Sequence, residues 1–233
     1  MTGDSLFARE MARRKDPTKQ ETQAAATAAV TDWREGTSRS ERARLIREAL
    51  FNAAGEVVGE RGYQDASISL ITQRAGVAQG TFYNHFESRQ DILDQLLPAL
   101  GKAMLQHVGE CSREGSSFID REIRGFRGFF SFLKTQPHFF RILNEASSFA
   151  PKGYQAHLEM VMEGYMRFLR KGCQTGEVPN FSDRELEVVA YVLMGARLYL
   201  GHYATQDDEH DQDVPDWVVE AYRKLVTHGL TGK

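Results

Sequence analysis

From Ser40 onward the apolar positions of the chain recur every three or four residues. That spacing marks helices with one buried face. Leu45, Ile46, Ala49, Leu50, Ala53, Ala54, Val57 and Val58 share one side of a first helix, which Ser40 is placed to cap and Gly62 to stop. Ser67 opens a second, short helix with Ile68, Ile71 and Ala75 on one side, ended by Gly76. A third is expected from about Gln79 to Phe86. Ser88 caps a fourth, which carries Ile92, Leu93, Leu96, Leu97, Leu100 and Met104 and can kink at Pro98.

Beyond this the helices are longer and more apolar. Ser116 to Lys134 has Ile119, Ile123, Phe126, Phe130 and Leu133 on one side and Phe118, Phe129 and Phe132 on another, so it is expected in the middle of a bundle. Pro137 opens the next helix, which Pro151 bounds. Tyr154, Leu158, Val161, Tyr165 and Phe168 mark a long helix ending near Gly172. Ser182 or Asp183 begins another, densely apolar from Leu186 to Leu200, and Pro215 stands near the start of the last. No strand pairs are evident, so the expected fold class is all-α.

Residues 1–39 break the pattern: polar at first, then alanine-rich, with little to bury except Trp33. A mobile N-terminal arm is expected there. Its basic residues suit DNA phosphates, but Glu10, Asp16, Glu21, Asp32 and Glu35 offset them, which favours a solvated tail. The 233 residues hold 29 Lys and Arg against 32 Asp and Glu, a net charge of -3 that by itself argues slightly against a nucleic-acid partner. Two cysteines are too few for a disulfide framework or a cysteine zinc site. With no apolar run long enough to span a membrane and no secretory core at the start, a cytoplasmic setting is expected, with no membrane partner.

The most informative segment is Ser67 to Phe86. Two short helices meet at Ala75-Gly76-Val77, where Gly76 supplies a sharp turn and Val77 an apolar plug. Phe82 and Phe86, four apart, face the core, while Tyr83, Asn84 and His85 project away, as in a helix that enters a major groove. Gly62-Tyr63, Ile71 to Val77, Gly80 to Tyr83 and His85 to Leu93 together resemble the TetR family of transcriptional regulators, over about Glu41 to Leu97.

The resemblance implies an N-terminal three-helix DNA-binding domain with a helix-turn-helix (residues 40–97) and a larger C-terminal ligand-sensing and dimerisation domain (residues 98–233). It implies a homodimer on a palindromic double-stranded DNA operator, acting by default as a repressor that a small-molecule effector releases. By position, Ser67 caps the second helix near a phosphate. Gln79, Gly80, Thr81, Asn84 and His85 lie in the recognition helix. Tyr83 and Arg89 are expected on phosphates. Thr72 stands where the family more usually has alanine. The six arginines from Glu41 to Arg89 are matched by six acids, so non-specific affinity should be modest.

The C-terminal domain has no comparable motif. Its phenylalanines, tyrosines and methionines suit an apolar cavity between helices, with Phe126, Phe130, Ile142, Met162 and Tyr165 the first candidates for its lining. Arg197, between Met194 and Leu198, needs a buried partner: Glu145, another carboxylate, or an acidic ligand such as an acyl-CoA. His157 and Tyr165 can place hydrogen bonds on a ligand or be satisfied internally. The last two helices offer Gly195, Ala196 and Gly201 for close approach and Ala190, Leu193, Leu200, Trp217, Val218, Ala221, Tyr222 and Leu225 as apolar area for a four-helix dimer interface. No hydrolase, metalloprotease or phosphate-loop motif occurs, so neither an enzyme nor a cofactor is expected. Asp207 to Asp213 reads as a solvated acidic loop rather than a metal site. The rival readings are a small helical enzyme and a protein-interaction module without DNA binding.

Overall fold

The computed structural model describes residues 38–205 and 214–230. The expected arm, except its last two residues, and the acidic loop at Asp207 to Asp213 lie outside the described residues. The described residues are helical throughout, with no strand. The helices are α1 (Arg39–Arg61), α2 (Ile68–Arg74), α3 (Gln79–Phe82), α4 (Arg89–Ser112), α5 (Phe118–Thr135), α6 (Phe139–Phe149), α7 (Pro151–Gln174), α8 (Asp183–Thr205) and α9 (Asp216–Leu230).

Local chemistry sets most of the boundaries. The Ser38 hydroxyl, rather than that of Ser40, caps α1 by accepting from the Glu41 N–H at 3.1 Å. Ser67, Ser88 and Ser117 cap α2, α4 and α5 in the same way. Gly62 ends α1 at φ 86° and ψ 167°, a conformation that only glycine adopts readily. Pro151 occupies the first turn of α7, where its missing N–H costs nothing. α3 stops at Phe82 instead of Phe86. The Asn84 and His85 amides donate to Thr81 and Phe82 at 3.2 and 2.9 Å, so the chain tightens into turns before Ser88 restarts a helix.

The first core forms where α1 crosses α2, α3 and α4. Leu50, Ala54, Val58, Tyr63, Ile71, Phe82, Ile92 and Leu97 are almost wholly buried there. α4 runs unbroken through residues 97 and 98, so the two units share a helix rather than a linker. Its C-terminal half packs with α5 and α7, and the same buried cluster continues there, completed by α6, α8 and α9. α5 is central, as its wide apolar face required: Phe118, Phe126, Phe129, Phe130 and Phe132 are all buried, and Arg124, Arg127 and Lys134 keep a narrow stripe exposed. A Cβ on Gly153 would lie 2.1 Å from the Asp94 carbonyl oxygen, so the start of α7 rests directly on the α4 backbone.

α6 also docks on the end of α1. Arg141 donates from Nη1 to the Gly59 and Glu60 carbonyls at 3.0 and 2.8 Å. Its Nε donates to Glu145 Oε1 at 2.9 Å, while Glu145 Oε2 accepts the Tyr63 N–H at 2.8 Å. The orphan carbonyls at the C-terminus of α1 thus find a cation. The same clamp occupies Glu145, which is therefore not the partner of Arg197.

Candidate functional site

The α2–α3 corner presents one polar face. Gly76 takes φ 67° at the turn. Phe82 and Phe86 are buried with ring centroids 5.4 Å apart, and they fix the rotation of the short α3. Gln79, Gly80, Tyr83 and Asn84 are consequently exposed, and Tyr83 keeps 58% of its surface accessible. Thr81 and His85 are half-buried at the edge of this face. Burial and the nearby Arg47 hold the His85 imidazole below its ordinary pKa, so it is neutral at physiological pH. Ser67 is half-buried, its hydroxyl engaged as the cap of α2. Thr72 satisfies its extra hydroxyl by donating to the Ile68 carbonyl at 2.9 Å.

Arg89 differs from the sequence expectation. Its guanidinium turns inward, donating from Nε to the Ala66 carbonyl at 2.6 Å and from Nη2 to the carbonyls of Tyr63 and Gln64. It staples the α1–α2 loop to the start of α4, and only Nη1 is left for another partner. A strut missed by sequence reasoning is Arg47. It donates to the His85 carbonyl at 2.7 Å and to Gln95 Oε1 at 2.6 Å, with its guanidinium 4.4 Å from the Phe86 ring centroid. A long cation beside Ile46 and Leu50 on the buried side of α1 was the available signal. Arg74 is neutralised by Glu56 and Glu60 at 2.9 and 2.6 Å, which keeps the local field weak.

A cavity of about 590 Å³ lies among α4, α5, α6, α7 and α8. Its walls are mostly apolar, from residues such as Leu105, Val108, Phe129, Phe139, Leu158 and Val161. Of the residues singled out from the sequence, Tyr165 and Arg197 line it, and Phe126, Phe130, Ile142 and Met162 do not. On α5 the cavity face is Glu122, Gly125 and Phe129. Phe126 and Phe130 are rotated away from that face, and Phe126 stacks on Tyr222 of α9 with centroids 4.1 Å apart. Ile142 is packed into solid core next to the lining residue Leu143. Met162 lies one position beyond Val161, on another side of α7. Periodicity marks the wide buried face of such a helix but not which part of it meets the cavity and which a neighbouring helix, so neighbouring residues were exchanged.

One wall holds a buried polar network. Arg197 of α8, 7% exposed, donates from Nη2 to Glu122 Oε1 of α5 at 2.8 Å. The Tyr222 hydroxyl of α9 donates to the same oxygen at 2.6 Å and accepts from Arg197 Nη1 at 3.2 Å. The Tyr165 ring of α7 stands 5.2 Å from the guanidinium. Burial works against the charge on Arg197, but Glu122 and the two tyrosines outweigh it and hold its pKa above the ordinary value. The carboxylate sought for Arg197 is therefore Glu122.

The outer faces of α8 and α9 expose Val188, Tyr191, Val192, Tyr199, Trp217 and Leu225. Several residues expected on this face are instead internal: Ala190, Leu193, Val218 and Tyr222 are buried within the protomer. Gly201 accommodates the Phe140 ring, which would lie 2.5 Å from an added Cβ. Among the described residues no group of acids, histidines or cysteines is arranged to hold a metal ion. No described helix is long and apolar enough to cross a membrane.

Comparison with known proteins places this geometry. Residues 50–96 match the family model of bacterial regulatory proteins, tetR family. An HTH-type transcriptional regulator of Bacillus subtilis, YvdT, is 45% identical over 61 residues, which cover 26% of this chain and 29% of that protein. The fatty acid metabolism regulator protein of B. subtilis is 27% identical over 147 residues, covering 59% of this chain and 73% of its own length. Among solved structures, the transcriptional regulator FadR from B. subtilis in complex with stearoyl-CoA superimposes with a TM-score of 0.66 at 21% identity, covering 78% of this chain and 98% of that one. FadR from Bacillus halodurans gives 0.66 at 19% identity, covering 77% and 93%.

Proposed function

We propose that this chain, a DNA-binding transcription regulator of the TetR family, works as a homodimeric repressor that an apolar effector in the α4–α8 cavity releases from a palindromic operator. The observation that carries the DNA-binding half is the pinned rotation of α3. Phe82 and Phe86 are locked in the core, so Gln79, Gly80, Tyr83 and Asn84 face outward on a rigid base. Tyr83 can reach a phosphate, and Gln79 and Asn84 suit base edges. With arginines 47, 74 and 89 largely committed inside the protein, affinity rests on helix starts, on hydroxyls and amides, and on the doubling of each contact in a dimer.

The exposed apolar stripe of α8 and α9 supports dimerisation there, which would set two copies of α3 about one turn of B-form DNA apart, roughly 34 Å. The cavity supports a small apolar effector. The relative solved with stearoyl-CoA favours a long-chain acyl compound.

The test is a gel shift against the DNA upstream of the protein's own gene, over a range of salt. Specific binding that weakens as salt rises is expected, together with sedimentation as a dimer. Tyr83→Ala should weaken binding to all sequences, whereas Gln79→Ala or Asn84→Ala should change base preference. A monomer that retards no DNA would end this reading.

A further inference from the structure

His157 is the polar residue of the cavity that the fold leaves unsatisfied. It sits on α7, lines the cavity, and is 4% exposed. Its Nδ1 is fully covered and has no hydrogen-bond partner. The reason is the packing around the ring. Nδ1 and Cε1 press on Gly101 of α4, where an added Cβ would lie 2.2 Å from Nδ1. Phe139 of α6 meets the ring edge-on at 6.2 Å. These two neighbouring helices therefore meet the ring with carbon. A neutral imidazole keeps one N–H and one lone pair, and a buried ring that uses neither costs free energy.

We propose that His157 anchors the effector through a neutral carbonyl on an otherwise apolar chain, a ketone, ester or thioester; the proposal rests on the cavity being the effector site. Three observations select this chemistry. Nδ1 is sealed, so Nε2 is the ring atom left to meet a guest. With its proton on Nε2, the tautomer that imidazole side chains ordinarily favour, the ring keeps only a lone pair at the sealed Nδ1 and has a donor to offer a guest. A donor calls for an acceptor. The charge balance then decides which acceptor. The buried cation of the lining, Arg197, is already neutralised by Glu122 at 2.8 Å, and Glu122 itself faces the cavity and repels an anion. Arg167, at the exposed rim, is paired with Glu163 at 2.6 Å. Burial keeps His157 neutral as well, with a pKa lowered to about 4. A free carboxylate head thus meets no uncommitted positive charge. From His157 to Tyr165 the cavity follows α7 past Leu158 and Val161, about 12 Å at the helical rise, which is room for an extended alkyl chain.

The test uses four probes that share a nine-carbon alkyl tail: 2-undecanone, 2-undecanol, n-undecane and decanoate. Their dissociation constants are measured by titration on the native chain and on His157→Phe and His157→Asn. The native protein should bind the ketone roughly tenfold more tightly than the alkane, the worth of one buried hydrogen bond. In His157→Phe that ratio should fall to about one. In His157→Asn, whose amide still donates, part of it should survive. Unliganded His157→Phe should melt no lower than the native protein, because an unpaired polar ring has been removed, and this separates lost recognition from lost folding. Equal binding of ketone and alkane overturns the anchor, as does a ratio unchanged in His157→Phe. Tightest binding of decanoate or of the alcohol overturns the carbonyl assignment. Failure of all four probes to bind overturns the cavity reading itself, an outcome distinct from binding without head-group preference.

Discussion

Glu122→Leu is the most revealing single change in this protein. It strands the Arg197 guanidinium, 7% exposed, without the carboxylate that stands 2.8 Å away, and it removes the acceptor of the Tyr222 hydroxyl at 2.6 Å. Breaking a buried pair by deleting one partner costs about 3–5 kcal/mol, because the remaining charge stays desolvated. Each kcal/mol is worth about 2–4 °C in a chain of this size, so the melting temperature should fall by about 10 °C. The network ties α5, α8 and α9 together, so the loss should appear in full at a fixed protomer concentration. The companion variant Glu122→Leu/Arg197→Met/Tyr222→Phe removes every polar member of the triad together. It should return to within about 1 kcal/mol of the native protein, since a buried ion network and its apolar replacement are often equivalent. Urea denaturation of both variants decides the matter. A single variant that loses less than about 1 kcal/mol would refute the reasoning, and so would a triple variant as unstable as the single one.

Three further outcomes are expected. Arg89→Ala should lower the melting temperature by an amount equivalent to about 2 kcal/mol, because the carbonyls of Tyr63, Gln64 and Ala66 lose a charged donor; a variant that weakens DNA binding with no change in melting would restore the phosphate role instead. Gly76→Ala should cost about 1 kcal/mol, a pure backbone effect at φ 67° with no atom within 4 Å of the new Cβ, whereas Gly153→Ala should cost about 3 kcal/mol because it meets the Asp94 carbonyl at 2.1 Å; chemical denaturation of the two variants reads the difference. Finally, burial lowers the His157 pKa from 6.5 to about 4, so the unfolded chain binds the extra proton between those values, and stability should decline as pH falls from 6.5 toward 4, by up to about 3 kcal/mol. Urea midpoints at pH 7.5 and pH 4 should differ less in His157→Phe, and parallel pH profiles for the two proteins would contradict this.

The local chemistry of the chain was legible without coordinates. Three-and-four spacing, serine caps and glycine stops mark the same helices that form, to within a few residues, because caps and turn conformations depend on neighbours in sequence. The α2–α3 corner was legible for the same reason: Gly76, Val77, Phe82 and Phe86 act on one another across a few positions. The end of α3 was misplaced because Asn84 and His85 bond backward in turns, a choice made by the path the chain must take to Ser88.

Amino-acid order alone determined an all-helical chain with a helix-turn-helix near its start and apolar helices after it, since periodicity and capping are local properties. Tertiary structure decided which side of each apolar helix meets which neighbour. It turned Phe129 rather than Phe126 into the cavity, chose Glu122 over Glu145 for Arg197, folded Arg89 inward, and left His157 without a partner. Each of these depends on residues far apart in the chain that meet only when helices pack, and periodicity marks the buried face of a helix without saying which neighbour or cavity each part of that face will meet.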